Sequence, residues 1–208
     1  MIEALSWEDG MQDDGIALYR RFLQGDERGL EELISLYQRG LLRFIYGYVH
    51  DVFLAEDILT DVFLALYYKR SFRETDNATL KTYLYTIARN KSLNALKKRT
   101  RRKEISLDAL TETGADGQEE VLRFLYYNDS PQTSLERAER IKILRDALPK
   151  IRKDYREVLS LRFFEDLSPE EIAKITRRPI KQVYNLLTRG KNALKQQLLS
   201  EGIHYEDL

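Results

Sequence analysis

Leu30, Leu33, Ile34, Tyr37, Leu41, Phe44, Ile45 and Tyr48 recur at steps of three and four residues along one unbroken stretch. That spacing stacks apolar side chains on one broad helical face, whereas a strand would alternate them every second residue. Gly25-Asp26 precedes the run as a start signal with Asp26 as N-cap, and His50-Asp51 ends it. The same period returns twice more. A helix is predicted from about Leu54 to Lys69, with Ile58, Val62, Ala65 and Leu66 inward. Another is predicted from about Ala78 to Arg101, with Leu80, Leu84, Ile87 and Leu96 inward, and Phe72 to Asn77 reads as a loop. Only 10 Gly and 4 Pro punctuate the 208 residues, so long helices are expected throughout. The fold class is all-α.

Residues 104–134 break the pattern. Thr-Glu-Thr-Gly-Ala-Asp-Gly at 111–117 and Asn128-Asp129-Ser130-Pro131 have turn character, and the stretch is acidic and weakly periodic. It reads as a flexible linker between two small helical domains. The second block, about 135–200, opens with Ile141, Leu144, Ala147 and Leu148 on one short helix. Tyr155, Val158, Leu159 and Leu161 form another.

The formal net charge is zero, but the charges are segregated. Residues 1–15 carry five acids and no base. Lys97, Lys98, Arg99, Arg101, Arg102 and Lys103 are nearly contiguous, and from Ile172 to Ser200 every charged side chain is positive. Phosphates respond to local potential within a Debye length of roughly 8–10 Å, so this segregation matters more than the sum.

Ser168-Pro169-Glu170-Glu171 is a capping box, with Ser at N-cap, Pro at N1 and Glu at N3. It opens a short helix with Ile172, Ala173 and Ile175 inward. Thr176-Arg177-Arg178 makes a basic turn to Pro179, which fits the first turn of a longer helix packing Ile180, Val183, Leu187 and Leu194. Short capped helix, turn and longer helix form the helix-turn-helix pattern. A helix about 10–12 Å across fits a major groove about 12 Å wide. On the outer face, Gln182 and Asn185 suit adenine edges and Arg189 suits guanine, with Tyr184 and Thr188 beside them. Lys174, Arg177, Arg178 and Lys181 suit phosphates.

With these residues in place, the chain resembles the extracytoplasmic-function group of bacterial sigma factors. The stretch Ala55-Glu56-Asp57-Ile58-Leu59-Thr60-Asp61-Val62-Phe63-Leu64 is similar to the family's polymerase-binding helix. Phe72-Arg73 and Thr82 to Asn90 are similar to its signature around the minus-ten-reading segment. Leu148-Pro149 and Leu161 to Ser168 are similar to its minus-thirty-five-reading domain. The family usually carries Trp where Tyr83 stands. The resemblance divides the chain into an acidic segment 1–15, a region-2-like domain 16–103, the linker 104–134, a region-4-like domain 135–200 and a tail 201–208.

The resemblance implies a factor that binds core RNA polymerase, directs it to promoter DNA and helps to open the duplex. Glu56, Asp57 and Asp61 would face water and dock on polymerase. Phe72, Arg73 and Asn77, with Tyr83 and with Asn90 expected nearby, would hold unstacked bases of the minus-ten element. Lys97, Lys98, Arg99, Arg101 and Arg102 would grip the adjoining backbone through counterion release. An anti-sigma factor is an expected partner. The competing reading is a helix-turn-helix repressor or activator that binds duplex DNA without polymerase.

Catalysis finds no foothold. The chain has no cysteine and only two histidines, His50 and His204, without metal-binding spacing or a glycine-rich phosphate loop. No catalytic residue, metal or cofactor is expected. His50 fits a capping or surface role. No apolar run nears the roughly 20 residues that a membrane helix needs, and no signal peptide is read at the N-terminus, so a cytoplasmic protein without membrane insertion is expected.

Overall fold

The computed structural model describes residues 14–69, 72, 79–105, 143–144 and 146–203. Among these there are seven complete α-helices, helical residues at 143–144 and 146–147 that lead into a 3-10 turn, and no strand. The first four helices are α1 (Asp14–Leu23), α2 (Glu27–Val49), α3 (Val52–Lys69) and α4 (Leu80–Ile105). After the 3-10 turn Leu148–Lys150 come α5 (Lys153–Phe163), α6 (Pro169–Thr176) and α7 (Ile180–Ser200). Most of the predicted linker, most of the acidic segment, Ile141 and His204 lie outside the described residues.

Helix α1 is not anticipated by the sequence reading. Its 10 residues are too few for periodicity alone to single them out, yet Tyr19 and Phe22 are fully buried against α2. The Asp26 amide donates to Arg21 O (3.1 Å) and the Gly25 amide to Phe22 O (3.0 Å), closing α1 in a Schellman-like turn. Gly25 sits there at φ +97°, which a residue with a Cβ would strain to adopt. Asp26 then starts α2 as predicted, accepting from the Arg28 amide at 3.2 Å.

The remaining starts and stops follow local chemistry. His50 caps α2 in the left-handed region, its amide donating to Tyr46 O at 2.9 Å. Asp51 Oδ1 accepts from the Leu54 amide (3.1 Å), so α3 begins at Val52, two residues earlier than the apolar pattern suggests. Thr79 Oγ1 accepts from the Thr82 amide (3.1 Å) and starts α4, which continues through the basic cluster to Ile105. Ile58, Val62, Leu66, Leu80 and Leu84 are buried as predicted, while Ala65, Ile87 and Leu96 are half-buried.

In the C-terminal block, Ser168 Oγ accepts from the Glu171 amide (3.2 Å) and Glu171 Oε2 accepts from the Ser168 amide (2.9 Å), completing the capping box. Removing it with Ser168→Ala is expected to cost about 1 kcal/mol. Thermal unfolding should show the midpoint falling by about 2–4 °C. Val183, Leu187, Gly190, Leu194 and Leu198 form the buried stripe of α7. Two details differ from expectation: Pro179 is the N-cap of α7 rather than part of its first turn, and Ile180 is exposed. Pro179 is extended, at φ −57° and ψ 140°, so the helix begins only after it.

The two blocks do not stand apart. Leu41, Leu42, Arg43, Phe44 and Ile45 are all buried, and five successive residues cannot share one helical face. Helix α2 is enclosed on two sides, by its own helical neighbours and by the C-terminal block. Helix α6 packs on α4, and a continuous apolar core runs through both blocks.

Candidate nucleic-acid and protein interfaces

Burying Val183, Leu187, Gly190 and Leu194 turns the opposite face of α7 to solvent. Lys181, Gln182, Tyr184, Asn185, Thr188 and Arg189 are all exposed there, as are Lys174 and Arg177 on and just after α6. Arg177 takes φ +54°, which makes the tight turn between the two helices. Tyr184 Oη donates to Glu170 Oε1 (3.2 Å), and the nearby Glu170 charge pushes the phenol's pKa upward, keeping it a donor. Thr188 Oγ1 donates to Tyr184 O (3.0 Å), so its hydroxyl proton is already engaged.

Arg178 departs from this group. Its Nη2 lies 2.6 Å from Asp154 Oδ1 and its Nη1 lies 3.0 Å from Glu157 Oε2, with its side chain mostly buried. The sequence places it with the phosphate ligands because it adjoins Arg177. Folding instead turns it inward onto α5.

On α3, burial of Ile58, Val62 and Leu66 leaves Glu56, Asp57 and Asp61 exposed together. Asp61 Oδ2 is 2.8 Å from Lys91 Nζ of α4, so one carboxylate of the strip is already paired. The exposed apolar side chains Phe53, Leu64 and Tyr68 flank it on the same helix.

The predicted minus-ten set divides. Arg73 and Asn77 lie outside the described residues. Phe72 is buried and packs edge-on against Tyr19 at 5.9 Å and, tilted, against the half-buried Tyr83 at 5.5 Å. Phe72 is therefore a core residue, unable to stack on a base without leaving its pocket. Asn90 is half-buried on α4, about 15 Å along the axis from Leu80 at the start of that helix. Lys97, Lys98 and Arg101 are exposed and Arg99 half-buried on the last turns of α4. Arg102 lies on the same helix.

Glu157 and Glu165 of the C-terminal block have no assigned role in the sequence reading, and Glu171 only its capping one, yet each meets donors on α2, on α4 or at the start of α4. Glu171 Oε1 is 3.1 Å from both Thr79 Oγ1 and Thr82 Oγ1. Glu165 accepts from Arg43 Nη2 (2.7 Å) and Tyr85 Oη, while its backbone oxygen takes Lys81 Nζ. Glu157 accepts from Arg89 Nε (2.6 Å) and Tyr48 Oη. Burial, with a carboxylate alongside, pushes the Tyr48 and Tyr85 phenols far upward, so both stay protonated donors. Burial alone would raise the Glu171 carboxyl, but bonds from Ser168, Thr79 and Thr82 outweigh it and hold it below its usual range.

These helices fall within stretches that match known modules. Residues 33–102 match Sigma-70 region 2 and residues 141–194 match Sigma-70 region 4. The chain belongs to the sigma-70 family of RNA polymerase sigma factors. Within it, the pairing of these two regions places the protein in the extracytoplasmic-function group. RNA polymerase sigma factor YlaC of Bacillus subtilis is 30% identical over 81% of this chain and 91% of its own length. RNA polymerase sigma-H factor of Pseudomonas aeruginosa is 29% identical over 90% of this chain and 95% of its own. The same fold occurs in the sigma factor RpoE of Bartonella quintana, solved with the anti-sigma factor NepR. That match has a TM-score of 0.59 at 24% identity and covers 81% of this chain and 95% of that one. No helix among the described residues is long and apolar enough to cross a membrane.

Proposed function

We propose that this sigma factor engages a promoter at two points while docked on polymerase, with most of its contacts on α3, α4, α6 and α7. Helix α7 enters the major groove of the minus-thirty-five element, with Gln182, Asn185 and Arg189 reading bases and Lys174, Arg177 and Lys181 holding phosphates. The basic end of α4, with Lys97, Lys98, Arg99 and Arg101, lies along the backbone next to the minus-ten element. Arg73, Asn77 and Tyr83 contribute to holding its opened bases. Glu56, Asp57 and Asp61 dock on core polymerase. The observation that carries this reading is the outer face of α7, where six adjoining polar side chains stand exposed in a stretch free of acids.

The protein works by binding, with no catalytic step of its own, in the cytoplasm where polymerase acts. An anti-sigma protein is proposed to hold it inactive, by analogy with the relatives solved in such complexes. The test is reconstitution. Purified protein added to core polymerase should yield open complexes at a subset of promoters, read by permanganate reactivity of unpaired thymines. Tight duplex binding as a dimer without polymerase, and no opening with it, would favour a conventional helix-turn-helix regulator.

A further inference from the structure

The contacts between the two blocks have a direction. In the bonds that join Arg43, Tyr48, Thr79, Lys81, Thr82, Tyr85 and Arg89 to the C-terminal block, the N-terminal block donates and the C-terminal block accepts. Thr82, Tyr85 and Arg89 recur at three- and four-residue steps on one face of α4, and Thr79 stands just before them at its start. The side chains of Arg43, Arg89, Glu157 and Glu165 are nearly all withdrawn from water. Removing one partner from such a pair would leave the other buried and uncompensated, so the pairs act together as one register-setting lock.

Gly40 belongs to the same joint. A Cβ there would lie 2.4 Å from Tyr85 Oη and 2.5 Å from Glu165 Oε2. The bare backbone of α2 at this point is what lets the Tyr85–Glu165 bond form.

This arrangement does not fit two-point promoter binding. Helix α6 packs on α4 and α7 packs on α6. At about 8–10 Å between packed axes, α7 lies within roughly 20 Å of α4. The minus-ten and minus-thirty-five elements are about 25 base pairs apart, or roughly 85 Å at 3.4 Å per base pair. Adding the whole length of α4, about 39 Å, still falls short. The 37 residues between Ile105 and Ile143 could span about 120 Å if fully extended, so the chain itself permits separation.

We infer that Glu157, Glu165 and Glu171 form an autoinhibitory latch that closes the free chain by capping the donor face of α2 and α4, and that polymerase engagement requires this latch to open. The inference rests on the two-point reading above, but its first readout does not depend on it. The natural chain has no cysteine, so Leu36→Cys and Asn192→Cys, both at exposed positions, accept one dye pair for energy transfer. The free labelled protein should show high transfer. Glu165→Arg should lower it by at least half, and adding Arg43→Glu should restore it by re-forming the pair with its charges swapped. Gly40→Val should open the joint without changing any charge, with helix content by circular dichroism unaltered in each variant.

Polymerase titration of the same proteins tests the inhibitory part. If opening limits engagement, Glu165→Arg should bind core polymerase about tenfold more tightly in apparent affinity, and the swapped pair should return to the natural value. Low transfer in the free natural chain, or unchanged transfer in folded Glu165→Arg and Gly40→Val, would overturn the latch. An opened variant with unchanged polymerase affinity would overturn its inhibitory role. Failure of promoter opening by the natural protein, with the transfer results as expected, would instead count against two-point promoter binding.

Discussion

Reversing Asp57 and Asp61 to lysine is expected to lower the affinity for core RNA polymerase by about 100-fold, read by fluorescence anisotropy or competition against a second sigma factor. The size follows from what the change replaces. A complementary charge pair at an interface commonly couples by more than 1.5 kcal/mol, and juxtaposed like charges cost several more. A net loss of about 3 kcal/mol corresponds to roughly two orders of magnitude. The fold should not suffer, because both side chains are exposed while Ile58, Val62 and Leu66 hold α3 in the core. Asp57 should contribute more than Asp61, whose carboxylate is already shared with Lys91 at 2.8 Å. Unchanged polymerase affinity in the double variant would remove α3 as the docking helix.

Asn185→Ala and Arg189→Ala together are expected to reduce discrimination between cognate and altered minus-thirty-five sequences by about 10–100-fold when measured with holoenzyme. Each good bidentate base contact discriminates by about 1–3 kcal/mol, and the two residues lie one helical turn apart on the same exposed face. A contrasting signature is expected from Lys174, Arg177 and Lys181 changed together to alanine. Binding to every sequence should weaken alike, and the slope of log affinity against log salt should flatten by about 2.7. Arg178→Ala should not follow that pattern, since Arg178 is engaged with Asp154 and Glu157. If discrimination survives the loss of both Asn185 and Arg189, α7 does not read the promoter.

Most helices were legible because each repeats an apolar residue every three or four positions and carries its own punctuation. Asp26 before α2, His50 after it, and the Ser168–Glu171 box before α6 are local devices, set by residues within a turn of one another. The exposed faces of α3 and α7 were legible for the same reason, since knowing which side of a helix is apolar fixes which side is not. Helix α1 escaped because ten residues give too few repeats, and its burial depends on α2 being there to receive Tyr19 and Phe22. Phe72, Arg178, Glu157 and Glu165 escaped for a different reason. Their surroundings come from residues 11–122 positions away, as with Phe72 and Tyr83 or Arg43 and Glu165, and no local pattern encodes such a meeting. A buried glutamate and an exposed one look the same in a string of letters.

Beside the apolar core that the two blocks share, their joint carries a cluster of ionised and hydroxyl groups, and these set part of how the two faces would behave if parted. An interface of leucines would leave two greasy faces that seek any neighbour. Guanidinium, carboxylate and phenol groups instead regain their hydration on exposure, offsetting much of what the joint supplied. Such a seam is selective in geometry yet modest in net strength. In the proposed opening, these groups would take up water again, while the shared apolar core would be uncovered with them.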